Sequence, residues 1–162
     1  MSRLGVLYAL DDNELEKLRS LPSDERYDYV LEVIEEDLFG TPRGCELEKS
    51  WEGIQYCLGH GEWNEDNDVP TNIIFGGEFL LDTEDNVITL KNNDDVKKIV
   101  SYLQENNLRE IIKKYFWKID DPEFPYKDEN GLNHILGWSK DILPFYENAL
   151  KENRQVIFTV DL

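Results

Sequence analysis

The stretch that decides the fold is the last one in the chain, Gln155–Leu162, which reads QVIFTVDL. Val, Ile, Phe and Thr are enriched in β-strands because their bulky side chains pack well on a pleated surface, so this stretch is predicted to be a strand. A second short apolar stretch, Arg3–Leu10 (RLGVLYAL), predicts a strand at the opposite end of the chain. We expect the two terminal strands to pair with each other in a small sheet.

One further pair of apolar runs has the spacing of a hairpin. Glu78–Leu81 and Val87–Leu90 flank a turn rich in Asp and Asn, which is typical of two antiparallel strands. Helical spacing dominates the rest of the middle, so strands and helices do not alternate. The predicted fold class is α+β, with a single domain over residues 1–162. Its small mixed sheet would pair the terminal strands, include the hairpin and be covered by several helices.

Two of the helical segments bear on function. The apolar residues Leu47, Trp51, Ile54 and Leu58 would lie on one face of a helix that ends at Gly59. A last helix is predicted over residues 135–153. Pro144 lies inside it and must either kink the helix or mark the start of a new one, because proline lacks the N–H that a helix interior needs.

The net charge is the most unusual property of the chain. Its 162 residues hold 17 Lys and Arg against 35 Asp and Glu, a formal charge of −18. This charge repels nucleic-acid phosphates and anionic membrane surfaces, so binding to nucleic acid or membrane is not expected. A basic protein would be attracted and would associate faster at low salt. Solubility alone also explains the charge, and both interpretations stay open.

The sequence predicts a cytoplasmic protein with reduced thiols. The first ten residues hold one basic residue, and their apolar run is broken by Gly5 and Tyr8, unlike a signal peptide. No apolar stretch approaches the length of a membrane span. The two cysteines, Cys45 and Cys57, are too few for a disulfide scaffold.

The middle of the chain resembles a known family. Leu47–Leu58 reads LEKSWEGIQYCL, in which an acidic residue, a lysine, any residue and a tryptophan lead into an amphipathic helix. Pro70–Gly77 reads PTNIIFGG, an apolar piece led by proline and ended by glycine. With the opening strand and the closing strand Val156–Val160, these pieces resemble the YfbM-like family of bacterial proteins, a domain of unknown function (DUF1877), over nearly the full chain.

The resemblance implies a compact α+β domain in a bacterial cytoplasm, and it carries no established activity. Many members of the family have a histidine where this chain has Gln55. A glutamine cannot take up a proton at neutral pH, so a catalytic base at this position would be missing here.

Two segments supply candidate binding residues. Trp51 could wall a pocket with polar anchors from the residues around it, or it could pack in the core. The second segment is an acidic loop that could meet a basic partner, together with residues 35–37 and 120–123, or could simply be solvated. The candidates from both segments are Glu48, Lys49, Trp51, Gln55, Glu62, Trp63, Glu65, Asp66 and Asp68.

Metal and catalytic motifs are poorly represented. Cys57 and His60 are spaced like two metal ligands, but a structural zinc site needs four. The acidic loop begins like a calcium loop at Asn64, yet Val69 stands where that loop requires glycine and Phe75 where it requires glutamate. No nucleophile elbow, phosphate-binding loop or dinucleotide fingerprint occurs. We therefore predict no metal, no cofactor and no catalytic residue.

These observations favour an acidic protein-binding protein, of the toxin-neutralising or immunity kind, whose partner is a basic protein such as a toxin. The alternative is a small enzyme or ligand-binding module with a pocket near the Trp51 helix. A housekeeping role outside both classes also stays open, because a fold does not determine a function.

Overall fold

The structure is a computed structural model that describes residues 3–64 and 66–162. Within these residues the strands are β1 (Gly5–Leu10), β2 (Gly44–Glu48), β3 (Glu78–Asp82), β4 (Asn86–Lys91) and β5 (Gln155–Asp161). They form one five-stranded sheet in the order β2-β1-β5-β4-β3. Each neighbouring pair is antiparallel. The predicted α+β class is confirmed, and the sheet is antiparallel where a mixed sheet was predicted.

The terminal strands pair at the centre of the sheet, as predicted. The register runs from Gly5 opposite Val160 to Leu10 opposite Gln155. Residues 156–160 of β5 are all buried, because helices cover both faces of this central strand. This burial explains why the closing stretch is a continuous apolar run and not an alternating one. The predicted hairpin is β3 and β4.

Helices cover both faces of the sheet. The helices are α1 (Asp12–Ser20), α2 (Ser23–Tyr29), α3 (Glu35–Leu38), α4 (Trp51–Leu58), α5 (Asn93–Glu105), α6 (Leu108–Tyr115), α7 (Glu129–Ser139) and α8 (Ile142–Lys151). A π-helical stretch, Val30–Ile34, joins α2 to α3, and short 3₁₀ turns occupy Pro70–Asn72 and Phe116–Lys118. No helix in the described ranges is both long and apolar enough to cross a membrane.

The two faces of the sheet have separate cores. Tyr8, Leu10 and Ile157 face a smaller core that α1, α2, the π-helical stretch and α3 cover. Strand residues that point the other way, such as Leu7 and Phe158, face a larger core covered by α4 to α8. The molecule is therefore a three-layer sandwich whose small helical layer comes from residues 12–38, and the two layers present different surfaces.

Two helix predictions need correction. Leu47 was expected on the face of the Trp51 helix, but it is a buried residue of edge strand β2, where Cys45 and Leu47 alternate with partly exposed residues. The helix begins only after Ser50, whose backbone N–H bonds to the Leu47 carbonyl in a turn. The predicted last helix is two helices, and Pro144 lies in the first turn of α8, where its missing N–H costs little.

Candidate functional site

Trp51, the most distinctive residue of the sequence, lies inside the larger core. It is the first residue of α4 and is only 2% exposed. Its ring stacks on Phe75 with 6.0 Å between centroids and contacts Phe158 at 5.5 Å. Its Nε1 donates a hydrogen bond of 2.8 Å to the carbonyl oxygen of Arg3. These contacts use most of the indole surface for packing.

Gln55 is also buried, and the protein itself uses both ends of its carboxamide. Nε2 donates to the carbonyl oxygen of Thr71 at 3.1 Å. Oε1 accepts a hydrogen bond from the backbone N–H of Phe75, also at 3.1 Å. Gln55 therefore ties α4 to the Pro70–Gly77 segment that the sequence singled out.

Two more buried polar side chains hold the same segment. Lys91, at the end of β4, donates to the carbonyl oxygen of Ile74 and, at 2.7 Å, to Oγ1 of Thr89. Tyr146, from α8, donates to the carbonyl oxygen of Ile73. Burial lowers the pKa of the Lys91 amine well below its usual range and raises the pKa of the Tyr146 hydroxyl. Strongly perturbed groups of this kind cluster at functional sites.

A cavity of about 260 Å³ lies beside this segment. Gln55, Asn72 and Gly76–Gly77 are among the residues that line it. Gly77 has a φ of 124°, a backbone angle that residues with a side chain rarely adopt. A Cβ atom on Gly76 would overlap the Asn72 side chain. Asn72 is only 7% exposed, and its Oδ1 has no hydrogen-bond partner among the described residues. This cavity is the cleft that adjoins the Trp51 helix.

The charged residues before Trp51 line a different cleft, of about 380 Å³. Glu48 has a left-handed φ of 52°, which ends β2 and turns the chain toward α4. Its Oε2 lies 3.3 Å from Nε2 of His134 on α7, and Lys49 lines the same cleft. The structure therefore separates Glu48 and Lys49 from Gln55, although all three were expected around one pocket.

The acidic loop is organised by local turns. Oδ1 of Asp68 accepts hydrogen bonds from the N–H and the Oγ1 of Thr71, at 3.0 and 2.8 Å. Trp63 is half-buried and packs on Phe75 with 5.2 Å between ring centroids. Of the other predicted loop residues, Glu62 and Asp66 are exposed and Glu65 lies outside the described residues.

The three acidic stretches that were expected to share one face are divided between the two layers. The backbone N–H of Asp120 bonds to the Gly61 carbonyl at 2.9 Å, so the acidic loop lies beside residues 120–123. Residues 35–37 belong to α3, which packs on the smaller core across the sheet. The expected common face therefore does not include α3.

The two cysteines are free and buried. Burial raises the pKa of the Cys45 and Cys57 thiols to about 12, so neither is a reactive thiolate. His60 stacks on the ring of Tyr115, with 4.5 Å between centroids. In the part of the chain that the structure describes, no group of three or more His, Cys, Asp or Glu is arranged to hold a metal ion.

The negative charge is concentrated in the first part of the chain. Residues 1–90 hold 22 acidic and six basic side chains, a formal charge of −16. Residues 91–162 hold 13 acidic and 11 basic side chains, a formal charge of −2. The negative charge is therefore unevenly distributed along the chain. The small helical layer comes entirely from this acidic part, which also contains eight carboxylates and no basic side chain over residues 61–90.

The helical segment of the small layer that runs from α2 to α3 carries a strong local excess of negative charge. Residues 23–39 contain seven carboxylates and one basic residue, Arg26. The Arg26 guanidinium donates to the carbonyl oxygens of Leu21, Leu80 and Arg19, so it is turned toward the backbone of neighbouring elements. The exposed residues of this surface, which we call the acidic helical face, are Asp24, Glu25, Asp28, Leu31, Glu32, Val33, Glu36, Asp37 and Phe39.

Large apolar side chains are exposed among these carboxylates. Leu31 is 44% exposed, Val33 39% and Phe39 44%. Leu31 and Val33 lie in the π-helical stretch, a rare backbone form that is frequent at functional sites. Exposed apolar residues within a charged surface are the composition of an interface centre with a polar rim.

A groove of about 420 Å³ continues from the Phe39 end of the acidic helical face. Phe39 and Trp138 supply apolar walls, and the carboxylates of Glu46 and Asp141 line it as well. A long basic side chain combines an apolar stem with a charged head, which matches both kinds of wall. The groove is therefore suited to a lysine or arginine.

The acidic helical face was not predicted from the sequence, although a signal for it is present. Residues 35–37 were expected to share a surface with the acidic loop and residues 120–123. A count of charge along the segment would have revealed the excess over residues 23–39. The position of the Arg26 guanidinium could not have been found in this way, because one of its acceptors, the carbonyl oxygen of Leu80, lies 54 residues away in the chain.

Comparison with known proteins places the chain in a family. The model of DUF1877, a domain of unknown function, matches residues 1–159. The chain belongs to the DUF1877 family. This confirms the resemblance that the Trp51 helix and the Pro70–Gly77 segment carried, and the DUF1877 domain accounts for nearly the whole chain.

Among solved structures, this DUF1877 protein is similar to a protein of unknown function, YfbM from Escherichia coli. The two share 19% sequence identity with a TM-score of 0.64, over 97% of this chain and 99% of YfbM. Similarity at this identity shows a common fold alone. No curated protein matches the chain significantly.

Proposed function

We propose that this DUF1877 protein binds a basic partner protein through the acidic helical face and the groove at its Phe39 end. The observation that carries the proposal is the segregation of charge. Residues 23–39 carry a formal charge of −6, whereas the last 72 residues of the chain carry only −2. Within the acidic part of the chain, this face also exposes Leu31, Val33 and Phe39, which a coat of charge needed only for solubility would not require.

The contacts around the face support this use. Arg26 is the one basic residue of the segment, and its guanidinium is bonded to three backbone carbonyls. The carboxylates of the face therefore lack a cation from their own helix. Such a surface steers a positively charged partner during encounter, and Leu31, Val33 and Phe39 provide apolar area for the bound state.

A basic toxin that the protein neutralises is a partner of the expected chemistry. An inhibitor of this kind needs a large acidic surface and no catalytic group. The acidic loop at residues 62–68 remains a second predicted contact, on the other side of the sheet.

Neutralisation of the face tests the proposal directly. The protein is used to capture its partner from the cells that make it, and the affinity of the purified pair is measured against salt concentration. Asp28→Asn, Glu32→Gln and Glu36→Gln together remove three exposed charges from the face. We expect the affinity at low salt to fall by about tenfold or more, because steering and attraction are both lost.

The matched control removes three exposed charges from the other layer, with Glu105→Gln, Glu129→Gln and Glu152→Gln. Both variants have the same net charge, so a general effect of charge would weaken both equally. The proposal requires a loss in the first variant only. It fails if the captured partner is acidic or neutral, if salt leaves its affinity unchanged, or if the two variants bind equally well.

A further inference from the structure

We propose that the cavity beside the Pro70–Gly77 segment binds an uncharged planar heterocycle of the nucleobase class, free or as a nucleoside. The cavity lies in the layer of α4 to α8, across the sheet from the acidic helical face. This site is independent of the proposed partner surface, so either can fail without the other.

The chemistry of the lining selects the class of ligand. Three asparagines, Asn64, Asn67 and Asn72, line the cavity, and no charged side chain lines it among the residues that the structure describes. A carboxamide presents a donor and an acceptor side by side, which is the pattern that pairs with the edge of a base. A neutral lining in a chain of charge −18 disfavours an anionic ligand such as a nucleotide.

Asn72 supplies the independent observation that a ligand belongs here. Its side chain is more than nine-tenths buried, and its Oδ1 is the buried oxygen for which the described residues offer no donor. Native proteins rarely leave such a group unpaired, because its lost hydrogen bonds to water are not replaced. Asn72 lines the cavity, so a ligand N–H that reaches this oxygen would satisfy it.

An aromatic pair completes the site. Phe75 and Phe79 both line the cavity, with 6.0 Å between their centroids and planes at 72°. Phe79 is 48% exposed, so part of its ring is available at the rim for a planar ligand to stack on. The volume of about 260 Å³ is below the range typical of drug-sized ligands, so it suits one small heterocycle.

The wall of the cavity is held in advance of binding. Gln55, Lys91 and Tyr146 hydrogen-bond the backbone between Thr71 and Phe75, and they come from α4, β4 and α8. A wall fixed by three separate elements loses little conformational entropy when a ligand arrives, which favours binding.

The test is an NMR titration of the ¹⁵N-labelled full chain with adenosine, uridine and glucose as probes. We expect saturable shifts with at least one nucleoside, confined to residues around the cavity, with a dissociation constant of about 1 mM or lower. Shifts that never saturate up to about 10 mM with either nucleoside overturn the proposal. Saturation by glucose alone overturns the assigned ligand class.

Substitutions of residues that line the cavity test whether the nucleoside binds there. Asn72→Ala is expected to weaken nucleoside binding about tenfold or more. Asn67→Gly removes another carboxamide, and glycine tolerates the backbone φ of 56° at this position. Asn153→Gly, at a φ of 55° and outside the cavity lining, is the matched control. If Asn72→Ala does not fold, Asn67→Gly and Phe79→Ser carry the test. Binding equal to the unmodified protein in the folded cavity variants contradicts the assignment.

Discussion

Replacement of Lys91 by methionine is expected to change how stability depends on pH. The Lys91 side chain is fully buried, and burial lowers the pKa of its amine well below 10.5, against a smaller opposite effect of Asp95. In the unfolded chain the amine titrates near its usual pKa of about 10.4. Between the two pKa values the unfolded state therefore binds one more proton than the folded state.

The sign and size of the effect follow from this difference of one proton. Stability rises with pH where the unfolded state binds more protons, at about 1.4 kcal/mol per pH unit for one group. The unmodified protein gains this amount as pH rises through the window, whereas Lys91→Met does not. The free energy of unfolding of the unmodified protein minus that of Lys91→Met should therefore rise by up to about 1.4 kcal/mol for each pH unit.

Guanidinium unfolding at pH 7, 8 and 9 measures this difference. All other titrating groups are common to both proteins, so they cancel. Lys97→Met serves as a control, because Lys97 is exposed and its variant should show a constant difference. A constant difference for Lys91→Met as well would mean that the buried amine keeps its proton in the folded state, and the inferred pKa shift would then be wrong.

Three further outcomes are expected. Gln55→Leu should lower the free energy of unfolding by about 1–3 kcal/mol in a denaturant titration, because it leaves buried backbone groups unpaired. An unchanged midpoint would contradict a stabilising role for the hydrogen bonds of Gln55. Gly77→Ala should lower the thermal midpoint, because alanine is strained at a φ of 124°, whereas Gly137→Ala, in open space on α7, should raise it. Cys45 and Cys57 should resist a thiol reagent at pH 8 in the folded protein and react after unfolding, since burial holds their pKa at about 12; rapid reaction of either in the folded state would contradict this.

The sheet was largely predictable because its strands have strong local signals. The β-branched run at Gln155–Leu162 and the short apolar run at Arg3–Leu10 each indicate a strand without reference to the rest of the chain. Strand β2 was not found, because Leu47 continues the helical spacing of the Trp51 helix by coincidence. Its assignment depends on pairing with β1, which is a contact between segments that sequence spacing does not contain.

The site was predictable only in part, because adjacency in sequence does not determine direction in space. Glu48 and Gln55 are seven residues apart, yet the left-handed turn at Glu48 sends the two side chains to different clefts. The role of Lys91 had no signal, since a single lysine near the end of a strand is usually exposed. Only the packing of the Pro70–Gly77 segment and Phe158 around it makes it a buried group.

Hydroxyl-radical footprinting of the protein alone and with its captured basic partner measures most directly which surface the partner covers. Leu31 and Phe39 are each 44% exposed on the acidic helical face, and Trp117 is a reference of similar exposure, 45%, in the other helical layer. We expect oxidation of Leu31 and Phe39 to fall in the complex while that of Trp117 stays unchanged. Protection of Trp117 with no change at Leu31 and Phe39 would place the interface elsewhere and contradict the proposed function.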